Sequence, residues 1–101
     1  MQMTRLLTNL LDNAFKYVPT GGTVRLTIEQ GPRIVVEDDG PGIAIEDRER
    51  VFQRYWRGSS GRHDGHGLGL ALARAIAERH GLSIRAEDAS PGACFIVEKE
   101  R

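Results

Sequence analysis

Residues 3–18 read MTRLLTNLLDNAFKYV. Leu6, Leu7, Leu10, Leu11 and Ala14 recur at three- and four-residue intervals, which predicts one apolar side on a helix of about four turns. Pro19 and the Gly21-Gly22 pair end it. Val24, Leu26 and Ile28 then alternate with Arg25, Thr27 and Glu29, the period of a half-buried strand. After a Gly31-Pro32 turn, Ile34-Val35-Val36 forms a second strand that runs into Asp38-Asp39-Gly40-Pro41-Gly42. The two strands are expected to pair as a hairpin.

Further along, a second helical stretch is expected over Ile45 to Tyr55, burying Val51, Phe52 and Tyr55. Residues 57–67, RGSSGRHDGHG, are glycine- and serine-rich with almost nothing apolar, the composition of a mobile loop. Leu70 to His80 reads as an alanine-rich third helix closed by Gly81, with His80 suited to the negative end of the helix dipole. Two strands follow, Leu82 to Glu87 and Ala93 to Glu98, joined through a Ser90-Pro91-Gly92 turn. This order predicts an α+β sandwich with helices on one face of a sheet.

A chain of 101 residues has the length of a single domain. Fourteen Lys plus Arg balance fourteen Asp plus Glu, so there is no overall basic field to grip nucleic acid. No apolar run is long enough to span a bilayer, and no basic-apolar leader opens the chain. The single cysteine, Cys94, excludes an intrachain disulfide and argues against a structural zinc site.

Four patterns carry chemistry, each with a plainer alternative. Asn9 and Asn13 share one side of the first helix with Lys16 a turn further on. They read either as a polar stripe in solvent or as amide oxygens for Mg²⁺, with Lys16 for phosphates and Tyr17 as a flat surface for a base. Asp38-Asp39-Gly40-Pro41-Gly42 is either an ordinary turn or a corner that a ring can approach, its carboxylate accepting from the exocyclic amine of adenine. Gly65-His66-Gly67-Leu68-Gly69 is either a flexible loop or a phosphate-binding entry to a helix. It lacks the preceding strand and GxGxxG spacing of a dinucleotide fold, and the Gly-Lys-Ser/Thr ending of a P-loop. In Val51-Phe52-Gln53-Arg54-Tyr55-Trp56-Arg57, Phe52 reads as core, while Arg54 and Arg57 face solvent or a triphosphate.

Taken in this order, NLLDNAFKY, DDGPG, VFQRYWRG and GHGLGLALA resemble the asparagine, first glycine, phenylalanine and second glycine motifs of sensor histidine kinase ATP-binding domains. That family is grouped with DNA gyrase, heat-shock chaperone and mismatch-repair ATPases. The resemblance covers nearly the whole chain. It implies a two-layer sandwich, with a mixed sheet of four or five strands and three helices on one face. It further implies that Asn13 ligates Mg²⁺ beside Asn9, Lys16 contacts phosphate, Tyr17 packs on the adenine or ribose, and Asp38 bonds the adenine amine. Gly40, Gly42 and Ile43 would border the ring, and Arg54 and Arg57 would approach the terminal phosphates. Gly65, Gly67, Leu68 and Gly69 would close over the phosphates, with residues 58–66 as a lid.

Hydrolysing relatives carry glutamate four residues before the magnesium asparagine. Here that position is Asn9, an amide that cannot take a proton near neutral pH. The resemblance therefore implies an ATP and Mg²⁺ site that phosphorylates a histidine on a separate dimerisation domain, with a response regulator as indirect partner. A nucleotide-binding or protein-contact module without kinase activity is the alternative, ahead of a gyrase- or chaperone-type hydrolase. His63, His66 and His80 do not lie in a phosphoacceptor helix. Domains of this type normally carry a strand hairpin before the first helix, so one sheet edge is expected to be uncovered. The chain is read as a cytoplasmic piece of a longer, membrane-bound sensor.

Overall fold

The computed structural model describes residues 2–53, 69–89 and 92–99. Helix α1 spans Gln2–Tyr17, and the bond from Val18 N–H to the Ala14 carbonyl carries its last turn to residue 18. Strands β1 (Val24–Glu29) and β2 (Arg33–Asp38) form the expected hairpin, with Leu26 opposite Val36 and Ile28 opposite Ile34. Helix α2 runs over Gly69–Arg79, and β3 (Leu82–Asp88) and β4 (Ala93–Lys99) form a second hairpin. At the end of α2 a ring nitrogen of His80 lies 2.9 Å from the Ile76 carbonyl oxygen.

The sheet order is β1-β2-β4-β3, and every neighbouring pair is antiparallel. The expected mixed sheet is therefore corrected. The crossover through α2 does return β3 in the same direction as β2, but β4 inserts between them and hydrogen-bonds both. The one pair that would have been parallel is thus kept apart.

A second correction concerns the helix expected over Ile45 to Tyr55. Two separate 3₁₀ turns stand there, Ile45–Asp47 and Arg50–Phe52, and Gln53 is already extended. Glu46 through Arg50 are all charged, so no apolar stripe exists to offset the cost of nucleating a helix. Burial of Val51 and Phe52 holds the chain instead. Tyr55 lies outside the described residues.

Both helices lie on one side of the sheet, and the main core sits between the layers. Leu6, Leu10 and Ala14 of α1 meet Val36, Phe95 and Val97 of the central strands and Ala73 and Ile76 of α2. On the other side Val35, Cys94 and Ile96 form a small cluster. No helix among the described residues covers this cluster. Charged side chains from all four strands surround it: Glu29 of β1, Arg33 of β2, Glu98 of β4, and Arg85 and Glu87 of β3. β1 is an edge strand, and its Leu26 and Ile28 are 41% and 63% exposed. No helix among the described residues is long and apolar enough to cross a membrane.

Candidate functional site

The last residue of β2 builds the site. Asp38 is 2% exposed, although aspartate is almost never buried without partners. Its Oδ1 accepts from the backbone N–H of Gly40 at 2.9 Å, the i to i+2 bond of an Asx turn, and from that of Ala93 on β4 at 3.4 Å. Asp39 does something else. It is exposed, and its Oδ2 accepts from Thr23 N–H at 2.9 Å, tying the corner to the approach to β1. The alternation of β2 produces this division, since Asp38 follows Ile34 and Val36 on the helix side while Asp39 falls on the other.

Gly40 brings the corner onto helix α1. A Cβ at this position would lie 2.4 Å from the Tyr17 carbonyl oxygen, so the two backbones touch where a side chain cannot fit. Asn13, one turn earlier, is 7% exposed. Asn9 is partly buried, and its amide nitrogen is buried with no hydrogen-bond partner among the described residues. Burial of Asn13 excludes the polar stripe in solvent as an account of that residue. Lys16 is exposed.

Ile43 is buried in the same core cluster as Leu10 and Ala14, which gives the corner an apolar floor. Gly42 lies beside the β3–β4 turn, since a Cβ there would stand 3.4 Å from the Gly92 carbonyl oxygen. Gly69 is the first residue of α2, the helix packed along α1. The structure thus brings Asn13, Tyr17, Asp38, Gly40, Gly42 and Ile43 to one corner. Arg54, Arg57, Gly65, Gly67 and Leu68 lie outside the described residues, as do His63, His66 and the stretch 58–66.

Phe52 is core, as its pattern suggested. Its ring meets Phe95 edge-on, with centroids 6.1 Å apart and planes at 83°. The Arg74 guanidinium lies 5.2 Å from the Phe52 ring centre and pairs with Glu49 at 2.6 Å. α2 is thereby fastened to the segment ahead of residue 54. An open cavity of about 230 Å³ is lined by Thr23, Arg25, Glu37, Asp38, Asp39 and Ala89. Most of these residues belong to the sheet side away from the helices, and the cavity shares Asp38 with the corner.

The donors present fit a purine nucleotide and a hard cation. A buried carboxylate is an acceptor suited to an exocyclic amine, and an amide oxygen suits Mg²⁺. Sequence reasoning missed Gly92 and the Ala93 amide. They stand 54 and 55 residues beyond Asp38, Gly92 in the turn and Ala93 at the start of β4, and a turn glycine has no periodicity to betray it.

The family described as "Histidine kinase-, DNA gyrase B-, and HSP90-like ATPase" matches residues 1–100. The chain is 42% identical over 95 residues to the signal transduction histidine-protein kinase/phosphatase MprB of Mycobacterium ulcerans, and 43% identical to that of Mycobacterium avium. The first match covers 89% of this chain and 19% of the relative, the second 89% and 18%, so the chain spans about a fifth of these proteins. Among solved structures, the mycobacterial sensor histidine kinase MprB superposes with a TM-score of 0.82 at 34% identity, covering 99% of this chain and 74% of the other. Full-length ShkA in complex with AMPPNP gives 0.79 at 30% identity, covering 97% and 21%.

Proposed function

Because the chain belongs to the family of histidine kinase-, DNA gyrase B- and HSP90-like ATPases, we propose that it is the ATP-binding catalytic part of a sensor histidine kinase. It would present the γ-phosphate of ATP to a histidine on a separate dimerisation domain, with a response regulator downstream. The supporting observation is the Asp38 carboxylate, buried at the end of β2 and held by the amides of Gly40 and Ala93 one backbone contact from helix α1.

In this reading Asp38 accepts a hydrogen bond from the adenine amine, Tyr17 packs on the adenine or ribose, and Gly40, Gly42 and Ile43 border the ring. Guanine has an oxygen where adenine has the amine, so it would face a carboxylate with no proton between them. The Asn13 amide oxygen would hold Mg²⁺, with Asn9 beside it, and the metal when bound supplies positive charge to the phosphates. Lys16 adds a second positive charge. From sequence alone the reading adds Arg54 and Arg57 at the terminal phosphates, and Gly65, Gly67, Leu68 and Gly69 over them.

An imidazole nitrogen of the acceptor histidine forms a bond to the γ-phosphorus as the bond to the β-phosphate oxygen breaks, and ADP leaves. Phosphoryl transfer depends mainly on positioning and charge stabilisation, so the protein need not supply a base to a neutral imidazole. The amide of Asn9 cannot activate water as a carboxylate would, which favours transfer over hydrolysis.

Titration with a fluorescent ATP analogue, with and without Mg²⁺, tests the binding half. Mixing with a histidine-bearing dimerisation domain and labelled ATP tests the transfer half. Metal-dependent binding with label on the histidine is expected. Absence of nucleotide binding overturns the reading, and steady hydrolysis without transfer reassigns it to the ATPase branch.

A further inference from the structure

We propose that Gly92, in the turn between β3 and β4, is a positioning residue for Asp38 and thereby sets how strongly the site prefers adenine to a purine without the exocyclic amine. The proposal rests on the reading of Asp38 as the adenine acceptor. A Cβ built on Gly92 would lie 1.6 Å from the Asp38 carbonyl oxygen, 2.6 Å from its carbonyl carbon and 3.1 Å from the Asp39 Cα. All three are backbone atoms, so no side-chain movement relieves the clash. Gly92 also has φ +95°, a left-handed conformation that L side chains rarely adopt.

The contact is held from behind. The N–H of Ala89 donates to the Gly92 carbonyl at 3.1 Å and closes the turn, so Gly92 cannot swing away freely. The next residue, Ala93, donates its N–H to Asp38 Oδ1. Any displacement that makes room for a side chain at 92 therefore pushes on the Asp38 backbone and withdraws an amide that helps aim its carboxylate. The Gly92 carbonyl also stands beside Gly42, on the far arm of the same corner.

The test compares the Kd for ATP with that for purine riboside triphosphate in the intact chain, in Gly92→Ala, in Asp38→Asn and in Gly81→Ala. Gly81 also has positive φ, +72°, but a Cβ there meets nothing within 4 Å, so its variant reports backbone strain alone. The expected result is that Gly92→Ala loses about tenfold or more of the preference for ATP, the size of one hydrogen bond to a charged group, while affinity for purine riboside triphosphate holds. Gly81→Ala should melt earlier yet keep the full preference. A folded Gly92→Ala with the original preference overturns the proposal. An unchanged preference in Asp38→Asn instead removes the adenine reading of Asp38, a distinguishable failure. Where Gly92→Ala does not fold, Ala89→Pro decides. It deletes the N–H that closes the turn, and it follows Asp88, whose extended strand conformation suits a residue before proline. Full preference retained in that variant also overturns the proposal.

Discussion

Arg33 on β2 reaches across to Glu98 on β4, with Nε 3.3 Å from Oε1, and joins the two central strands on the sheet face that lacks helices. The same guanidinium pairs with Glu29 of β1 at 2.9 Å, and Arg85 of β3 bonds the other Glu98 oxygen and, at 2.6 Å, Glu87. One continuous chain of charges thus crosses all four strands over Val35, Cys94 and Ile96. Isolated surface ion pairs contribute little, and the networked, two-arginine arrangement around Glu98 is what gives this one weight. The bond from Arg85 first, and the charges of Arg85 and Arg33 next, hold the Glu98 carboxyl below its usual pKa range.

That depression fixes the sign of a pH effect. The ionised carboxylate stabilises the fold above its unfolded pKa, and this contribution is lost as pH falls through the lower, folded value. Urea unfolding should show wild type more stable than Glu98→Gln at neutral pH. The gap should close as pH drops below about 4. A gap that persists unchanged in acid would show that Glu98 acts through packing alone.

Cys94 sits beneath this network, and burial, followed by the charges of Glu37 and Glu87, pushes its thiol pKa up. The thiolate is the reactive form, so the native protein at pH 8 should react with an aromatic disulfide reagent far more slowly than the urea-unfolded chain. Equal rates would show that the cluster opens readily.

Asp38→Asn should weaken ATP by about 1.5–3 kcal/mol, the range for a hydrogen bond to a charged group, in a calorimetric titration. The fold should survive, because the amide oxygen can still accept from Gly40 and Ala93.

Asn13→Ala should remove the Mg²⁺ dependence of nucleotide binding. Burial changes what else to expect of it. Alanine is the better helix former, but this amide lies inside, and the variant should also lose about 1–3 kcal/mol of stability. Thermal melts with and without nucleotide and Mg²⁺ separate the two effects.

Phe52→Ala empties a site bounded by Phe95 and the Arg74 guanidinium and should cost about 3–5 kcal/mol in urea unfolding. For a domain of this size that is a large share of the total stability. A loss below 1 kcal/mol would mean that the segment collapses to fill the space.

Local periodicity and chemical type made part of this architecture legible in the chain. The repeat of Leu6, Leu10 and Ala14, the alternation of Val24, Leu26 and Ile28, and the stop at Gly81 needed no distant partner to be read, and the four motifs in order pointed to the family. Tertiary structure decided the rest. The burial of Asp38 and the exposure of Asp39 depended on which side of β2 met the helices, and the burial of Asn13 on α2 and the sheet closing around α1. Insertion of β4 made the sheet wholly antiparallel, and the charged run at Glu46 to Arg50 broke a helix into two turns held by the buried Val51 and Phe52. Gly92 read only as a turn residue for the same reason. Its requirement comes from a backbone contact with a residue 54 positions earlier, and such a contact leaves no trace in the residues next to it.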